Sequence, residues 1–110
     1  MHERRQQRAS TVSGAVENFL ATLCRASGLD GAALTTNDGL LIAGVGAFDV
    51  EWMGALGAST SKRSLTWEKK ALHVSRFDVN DVSLCLTTAG GPLPESKTVG
   101  AIGRILATAT

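Results

Sequence analysis

The stretch Leu29–Gly46, LDGAALTTNDGLLIAGVG, decides the fold of this 110-residue chain. It holds two apolar runs, 31–36 and 40–45, separated by an Asn-Asp-Gly sequence at 37–39. Glycine and asparagine tolerate the positive φ that tight turns need, so this arrangement predicts a β-hairpin. Helical patterns flank the hairpin on both sides. We therefore expect it to form the first half of a sheet with helices packed on it.

The helix before the hairpin is predicted by an apolar stripe at three- and four-residue spacing: Val16, Phe19, Leu20, Leu23 and Cys24. The helical pattern begins near Ser10, and Gly28 suits the left-handed position just beyond its end. The residues before Ser10 carry arginines and no such stripe. This predicts a disordered basic tail over 1–9 and a single domain over 10–110.

A second helix is predicted from Val50 to about Ser61, with Asp49 as its N-cap and Phe48 packing on Met53. One face of this helix is nearly bare, because small residues recur along it: Gly54, Gly57, Ala58 and Ser61. Glycine inside a helix costs about 1 kcal/mol relative to alanine, so we expect a closely approaching backbone to compensate. That backbone belongs either to the chain's own sheet or to the same helix in a second copy.

Three further extended segments follow, at 65–67, 72–78 and 82–87, before a last helix that starts near Pro94. The tight turns between them exclude a doubly wound parallel sheet. An α+β fold is expected, with a single antiparallel sheet of about five strands. The first and last helices would share one face of this sheet, and the middle helix would lie on the other.

Composition narrows the function classes. The net charge of +1 gives no electrostatic footprint for nucleic acid. No apolar run approaches the roughly 18 residues of a membrane span, so no membrane insertion is expected, and the first residues lack the apolar core of a signal peptide. Cys24 and Cys85 match no metal or redox spacing. Reduced thiols and a cytoplasmic location are expected.

No catalytic constellation is visible in the sequence. His73 has no neighbouring histidine or cysteine at ligand spacing, and Asp78 and Asp81 flank a tight turn where aspartate is common. No glycine-rich phosphate loop is present, since Asp49 stands where a dinucleotide fingerprint needs its last glycine. We expect no enzyme activity of the chain's own, no cofactor and no metal.

The unusual property is the surface. Trp52, Met53 and Leu56 cannot all point inward if Val50 and the glycine face do. Trp67 begins a strand that a five-stranded order would leave at an edge. Aromatic residues and methionine are enriched at protein–protein contacts, and an exposed strand edge invites pairing. A protein interface is favoured over the alternative, in which both tryptophans fill the core.

The sequence GLDGAALTTNDGLLIAGVG after an amphipathic helix resembles the Roadblock family, which includes dynein light chains, Ragulator scaffold subunits and bacterial MglB proteins. The resemblance covers about 12–108, and it is carried by Gly28, Gly31, Asp38, Gly39, Leu40, Ile42, Ala43 and Gly46. It implies a homodimer, or a heterodimer with another Roadblock protein, in which middle helices and edge strands pair.

The resemblance also implies which residues would act. The dimer interface would contain Gly54, Gly57, Ala58, Ser61, Leu65 and Trp67, and the partner-binding surface would contain Trp52, Met53 and Leu56. The dimer would be a non-enzymatic regulator or scaffold for a Ras-like small GTPase, and activators of this family reshape the GTPase without inserting a catalytic arginine. The alternative is an adaptor subunit, similar to a dynein light chain, with no GTPase partner.

Overall fold

The computed structural model describes residues 3–46, 49–67, 69–79, 81–91 and 95–108, except the side chains of 3–13, 95, 96 and 108. It contains three helices and five strands in the order α1 Glu3–Ser27, β1 Gly31–Thr36, β2 Leu41–Gly46, α2 Val50–Ser59, β3 Ser64–Trp67, β4 Lys70–Val79, β5 Val82–Ala89 and α3 Glu95–Thr108.

The hairpin that the sequence predicts is confirmed. β1 and β2 pair antiparallel, and the chain reverses through Gly39, whose φ is +93°. The Thr36 amide donates to the Leu40 carbonyl oxygen at 2.9 Å, and the Thr36 hydroxyl accepts from the Leu40 amide at 3.1 Å. The second strand starts at Leu41, one residue later than expected, because the turn uses Leu40 to close these bonds.

The five strands form one sheet in the order β2-β1-β5-β4-β3, with every neighbouring pair antiparallel. The α+β class, the five-stranded sheet and the edge position of the strand containing Trp67 are therefore confirmed. β5 lies at the centre between β1 and β4, and its last six residues are buried.

Helices cover the two faces of the sheet as the sequence predicts. Val16 and Leu20 of α1 and Ile102 of α3 join one core cluster with Leu34 and Leu86 of the sheet. α2 packs on the opposite face, where Met53 contributes to a second cluster with Ala33, Leu72 and Ala89. Cys24 lies in the first core and Cys85 faces α2, so the two thiols are on opposite faces and are free.

The first helix ends as expected but begins earlier. Gly28 has φ +69°, and the Leu29 amide donates to the Cys24 carbonyl oxygen at 2.9 Å, which completes a Schellman ending. The backbone is helical from Glu3, before the predicted start near Ser10, and the disordered tail expected over 1–9 stays a prediction. Glutamine and arginine are good helix formers, and propensity can extend the helix without an apolar stripe. The domain boundary at residue 10 stays a prediction.

Candidate interaction surface on the second helix

Capping interactions fix both ends of α2. The Asp49 carboxylate accepts from the Trp52 amide at 3.0 Å, which confirms the predicted N-cap, while Phe48 lies outside the described residues. The helix ends at Ser59, two residues before the predicted end, because Thr60 is extended. The Thr60 amide donates to the Leu56 carbonyl oxygen, so backbone groups at both helix ends have partners.

The bare glycine face of α2 lies on the chain's own sheet. A Cβ added at Gly54 would meet Thr35 Cγ2 at 2.6 Å, and one added at Gly57 would meet Thr87 Oγ1 at 1.8 Å. Of the two alternatives for the approaching backbone, the structure shows the sheet. Gly54 and Gly57 are buried within the protomer and offer no surface to a second copy, which corrects their assignment to a dimer interface.

The partner-binding residues predicted on α2 separate into buried and exposed positions. Met53 is fully buried against Leu72, so it is a core residue and its assignment to the partner surface is corrected. Trp52 points the other way and is 55% exposed, whereas Leu56 is half-buried. Tryptophan is enriched at protein–protein interfaces, so this accessible side chain is a candidate binding position. A role in partner binding stays a prediction for Trp52 and Leu56.

The edge strand β3 offers the second part of the candidate surface. Leu65 and Trp67 are half-buried and pack against the α2-side core. The Val74 amide donates to the Arg63 carbonyl oxygen at 2.7 Å. Because bonded and non-bonded positions alternate in an antiparallel pair, the backbone N–H and C=O groups of Ser64 and Thr66 point away from β4. This edge of the sheet is therefore open to pairing.

The remaining predicted interface residues are not brought together. A Cβ at Gly39 would lie 3.8 Å from Ala58 Cβ, so Ala58 faces the β1–β2 turn rather than β3. Ser61 is exposed beyond the end of α2. Membership of a dimer interface stays a prediction for Ala58, Ser61, Leu65 and Trp67.

Arg76 of β4 caps the C-terminal end of α2, which the sequence analysis missed. Its Nη2 donates to the carbonyl oxygens of Gly57 at 2.9 Å, of Ala58 at 3.3 Å and of Thr60. No basic residue lies in the last turn of α2 itself. Side chains alternate along β4, so Arg76 lies on the same face of the sheet as Val74. This alternation is the one feature of the sequence that could have indicated the position of Arg76. A fixed cation at these carbonyls complements the helix dipole.

Neither a metal-ligand cluster nor a reactive thiol is present among the described side chains. Among them, no group of three or more histidine, cysteine, aspartate or glutamate residues could hold a metal ion. Burial, helped by the charge of Asp30, raises the pKa of the Cys24 thiol. Burial also raises the pKa of Cys85, although Arg76 partly opposes this. Both thiols are therefore protonated at neutral pH and are poor nucleophiles. No helix over the described ranges is long and apolar enough to cross a bilayer.

Comparison with known proteins identifies the fold. No protein-family model and no curated protein matches the sequence. The structure is similar to MglB from Myxococcus xanthus, with a TM-score of 0.59 at 13% identity over 86% of this chain and 90% of that one. It is also similar to a structure described as MglB with tetrameric arrangement, with a TM-score of 0.63 at 16% identity over 90% and 93% of the two chains. The chain therefore has the fold of the MglB proteins, which are among the Roadblock proteins that its sequence resembles.

Proposed function

We propose that this chain is a non-enzymatic, cytoplasmic, dimeric regulator or scaffold that binds a Ras-like small GTPase. The fold supports a protein of the MglB kind, and the Roadblock-like sequence carries the expectation of a GTPase partner. The observation that carries the proposal is Trp52, 55% exposed on the outer side of a helix that packs closely on the sheet and is bonded to it by Arg76. A tryptophan side chain has only two torsions, so it loses little conformational freedom when a partner covers it.

The charges around Trp52 define the partner surface further. Asp49 and Glu51 are exposed beside it at the start of α2. Tryptophan is among the residues that carry most of the binding energy at interfaces, and a surrounding rim of charge sets specificity and association rate. A GTPase that docks on α2 would therefore present an apolar pocket with basic groups around it.

Dimerisation is supported by the open edge of β3. In a two-fold dimer the outward groups of Ser64 and Thr66 would pair with the same residues of a second copy, joining the two sheets. Such a contact would also complete the burial of Leu65 and Trp67, which one protomer leaves half-exposed. The similar structure described as MglB with tetrameric arrangement is an assembly of several copies, which agrees with this proposal.

The GTPase proposal is tested by measuring binding of purified Ras-like GTPases from the source organism, loaded with GDP or with a non-hydrolysable GTP analogue. Trp52→Ala should weaken binding by about 2 kcal/mol, roughly 30-fold, as expected for an interface anchor. Val82→Ala is the matched control, because Val82 is 52% exposed at the β4–β5 turn, away from α2. Equal binding by the wild type and Trp52→Ala would contradict the α2 surface.

The outcome also separates the two function classes. Binding in one nucleotide state, with or without faster phosphate release, supports a GTPase regulator. A stable dimer that binds no GTPase in either nucleotide state would instead support an adaptor subunit similar to a dynein light chain.

The dimer is tested by Thr66→Pro. Proline removes the outward N–H of Thr66 and leaves the bonds between β3 and β4 intact, since those use Leu65 and Trp67. Losing two hydrogen bonds per dimer, at about 1 kcal/mol each, should weaken dimerisation roughly 30-fold in sedimentation equilibrium. Thr66→Val keeps the N–H and should dimerise normally. If Thr66→Pro dimerises as well as Thr66→Val, the copies do not join through β3.

A further inference from the structure

A groove runs between α1 and α3, on the sheet face opposite α2. One wall is made by Phe19 and Leu23 of α1, and the other by residues of α3: Lys97, Gly100, Ala101 and Arg104. Phe19 and Leu23 are half-buried, so their accessible sides form an apolar wall. The small residues of α3 keep the groove open between the helices.

The α3 side of the groove is cationic. Lys97 and Arg104 are exposed and seven residues apart, about 10.5 Å or two turns along one side of the helix. A Cβ added at Gly100 would lie 3.6 Å from Arg104 Nη1, so this guanidinium lies back along α3 beside the groove. No carboxylate is among the described residues that line it. The groove therefore combines an apolar wall with two exposed positive charges.

We infer that this groove binds an acidic amphipathic helix of a partner protein. A helix laid between α1 and α3 would place apolar residues at i and i+4 against Phe19 and Leu23. Carboxylates seven residues apart on its adjacent side would meet Lys97 and Arg104. A membrane surface fits less well, since a flat bilayer cannot reach both walls of a concave groove.

The inference is independent of the proposed GTPase surface. The groove and Trp52 lie on opposite sides of the sheet, because α1 and α3 cover one face and α2 covers the other. A single protomer can therefore hold one partner on α2 and a second, acidic partner in the groove. This arrangement would make the chain a bridge between two proteins.

The experiment screens a display library of helical peptides against the 110-residue chain. The peptides have about 16 residues, long enough for some stability as isolated helices. We expect the selected peptides to be acidic and amphipathic, with affinity that falls as salt rises. Lys97→Glu combined with Arg104→Glu should weaken them at least about tenfold, as should Leu23→Ala. Arg25→Glu is the matched control, since Arg25 is exposed on α1 but does not line the groove. Unchanged circular dichroism would show that each variant is folded. If the double charge reversal does not fold, Lys97→Gln combined with Arg104→Gln takes its place.

Four results would overturn the inference. The first is selection of neutral or basic peptides, and the second is binding of acidic peptides that survives the charge reversal. The third is a difference in sedimentation mass between the wild type and the charge-reversed variant with no peptide present, which would identify a second copy of the chain as the occupant. The fourth is binding to phosphatidylserine vesicles that charge reversal abolishes while no peptide binds, which would identify a membrane.

Discussion

Replacing Gly57 by alanine measures how closely α2 approaches the sheet. The added Cβ would lie 1.8 Å from Thr87 Oγ1, 2.9 Å from Thr87 Cβ and 3.1 Å from Thr87 Cγ2. A new rotamer of Thr87 could move Oγ1 aside but not Cβ, because Cβ is fixed to the backbone of the central strand. Ordinary contact begins near 3.4 Å, so clearing Thr87 Cβ alone would require α2 to rise by about 0.5 Å.

The expected magnitude combines two opposing effects. Overpacking of a close-packed interior costs up to about 3 kcal/mol, and lifting α2 would also lengthen the 2.9 Å bond from Arg76 to the Gly57 carbonyl oxygen. Alanine returns up to about 1 kcal/mol of helix propensity. We therefore expect Gly57→Ala to lower the free energy of unfolding by about 2 kcal/mol.

Urea unfolding followed by circular dichroism provides the assay, at one fixed protein concentration so that any self-association is held constant. Gly103→Ala is the matched control, because a Cβ at this α3 glycine would meet nothing within 4 Å. That variant should be stabilised by about 0.5–1 kcal/mol. In a double-mutant cycle, Thr87→Ala should recover about 1 kcal/mol of the Gly57→Ala loss. A Gly57→Ala protein as stable as the wild type would refute the close approach.

Two further predictions concern Arg76 and the buried thiols. Arg76→Ala should lower the free energy of unfolding by about 1–2 kcal/mol through loss of the bonds to the α2 carbonyls. Arg63 lines a surface cleft together with Arg76, and Arg63→Ala should have little effect. Equal losses in the two variants would contradict the capping role of Arg76. In the folded state Cys24 and Cys85 stay protonated at pH values just above the ordinary thiol pKa of 9.0, where the unfolded chain releases these protons. Stability is therefore full below that pH and falls as pH rises above it, by up to about 1.4 kcal/mol per pH unit for each thiol. Denaturation curves measured from neutral to alkaline pH should show that the free energy of unfolding declines less steeply with pH in the double variant Cys24→Ala/Cys85→Ala than in the wild type. The chain has no tyrosine whose titration would add to this decline. Identical slopes would contradict the raised pKa of the two thiols.

Local chemistry made most of the fold predictable. The turn at 37–39 follows from residues that tolerate positive φ, and the end of α1 follows from Gly28. The faces on which the helices lie follow from their stripes and from the short connections between strands. The start of α1 was harder to predict, because propensity alone sets it before Ser10.

The candidate surface could be predicted only in part. A row of small residues shows that something approaches α2 closely, but spacing cannot distinguish the chain's own sheet from a second copy. The sequence also gives Trp52 and Met53 the same hydrophobic character, and only the packing shows which of them is buried. The bond from Arg76 to Gly57 joins residues 19 positions apart, beyond the reach of any local pattern.

The strand order has a consequence for how the chain is made. β1 pairs with β2 on one side and with β5 on the other, so that Leu34 lies opposite Leu86. A nascent chain can close the first hairpin at once, but β1 keeps an open inner edge until Val82–Ala89 has been synthesised. α2 also has only half of its support until then, since Gly57 rests on Thr87. Joining such distant segments is slow, and an unpaired strand edge is prone to aggregation, so the growing chain is most vulnerable between its first hairpin and its fifth strand.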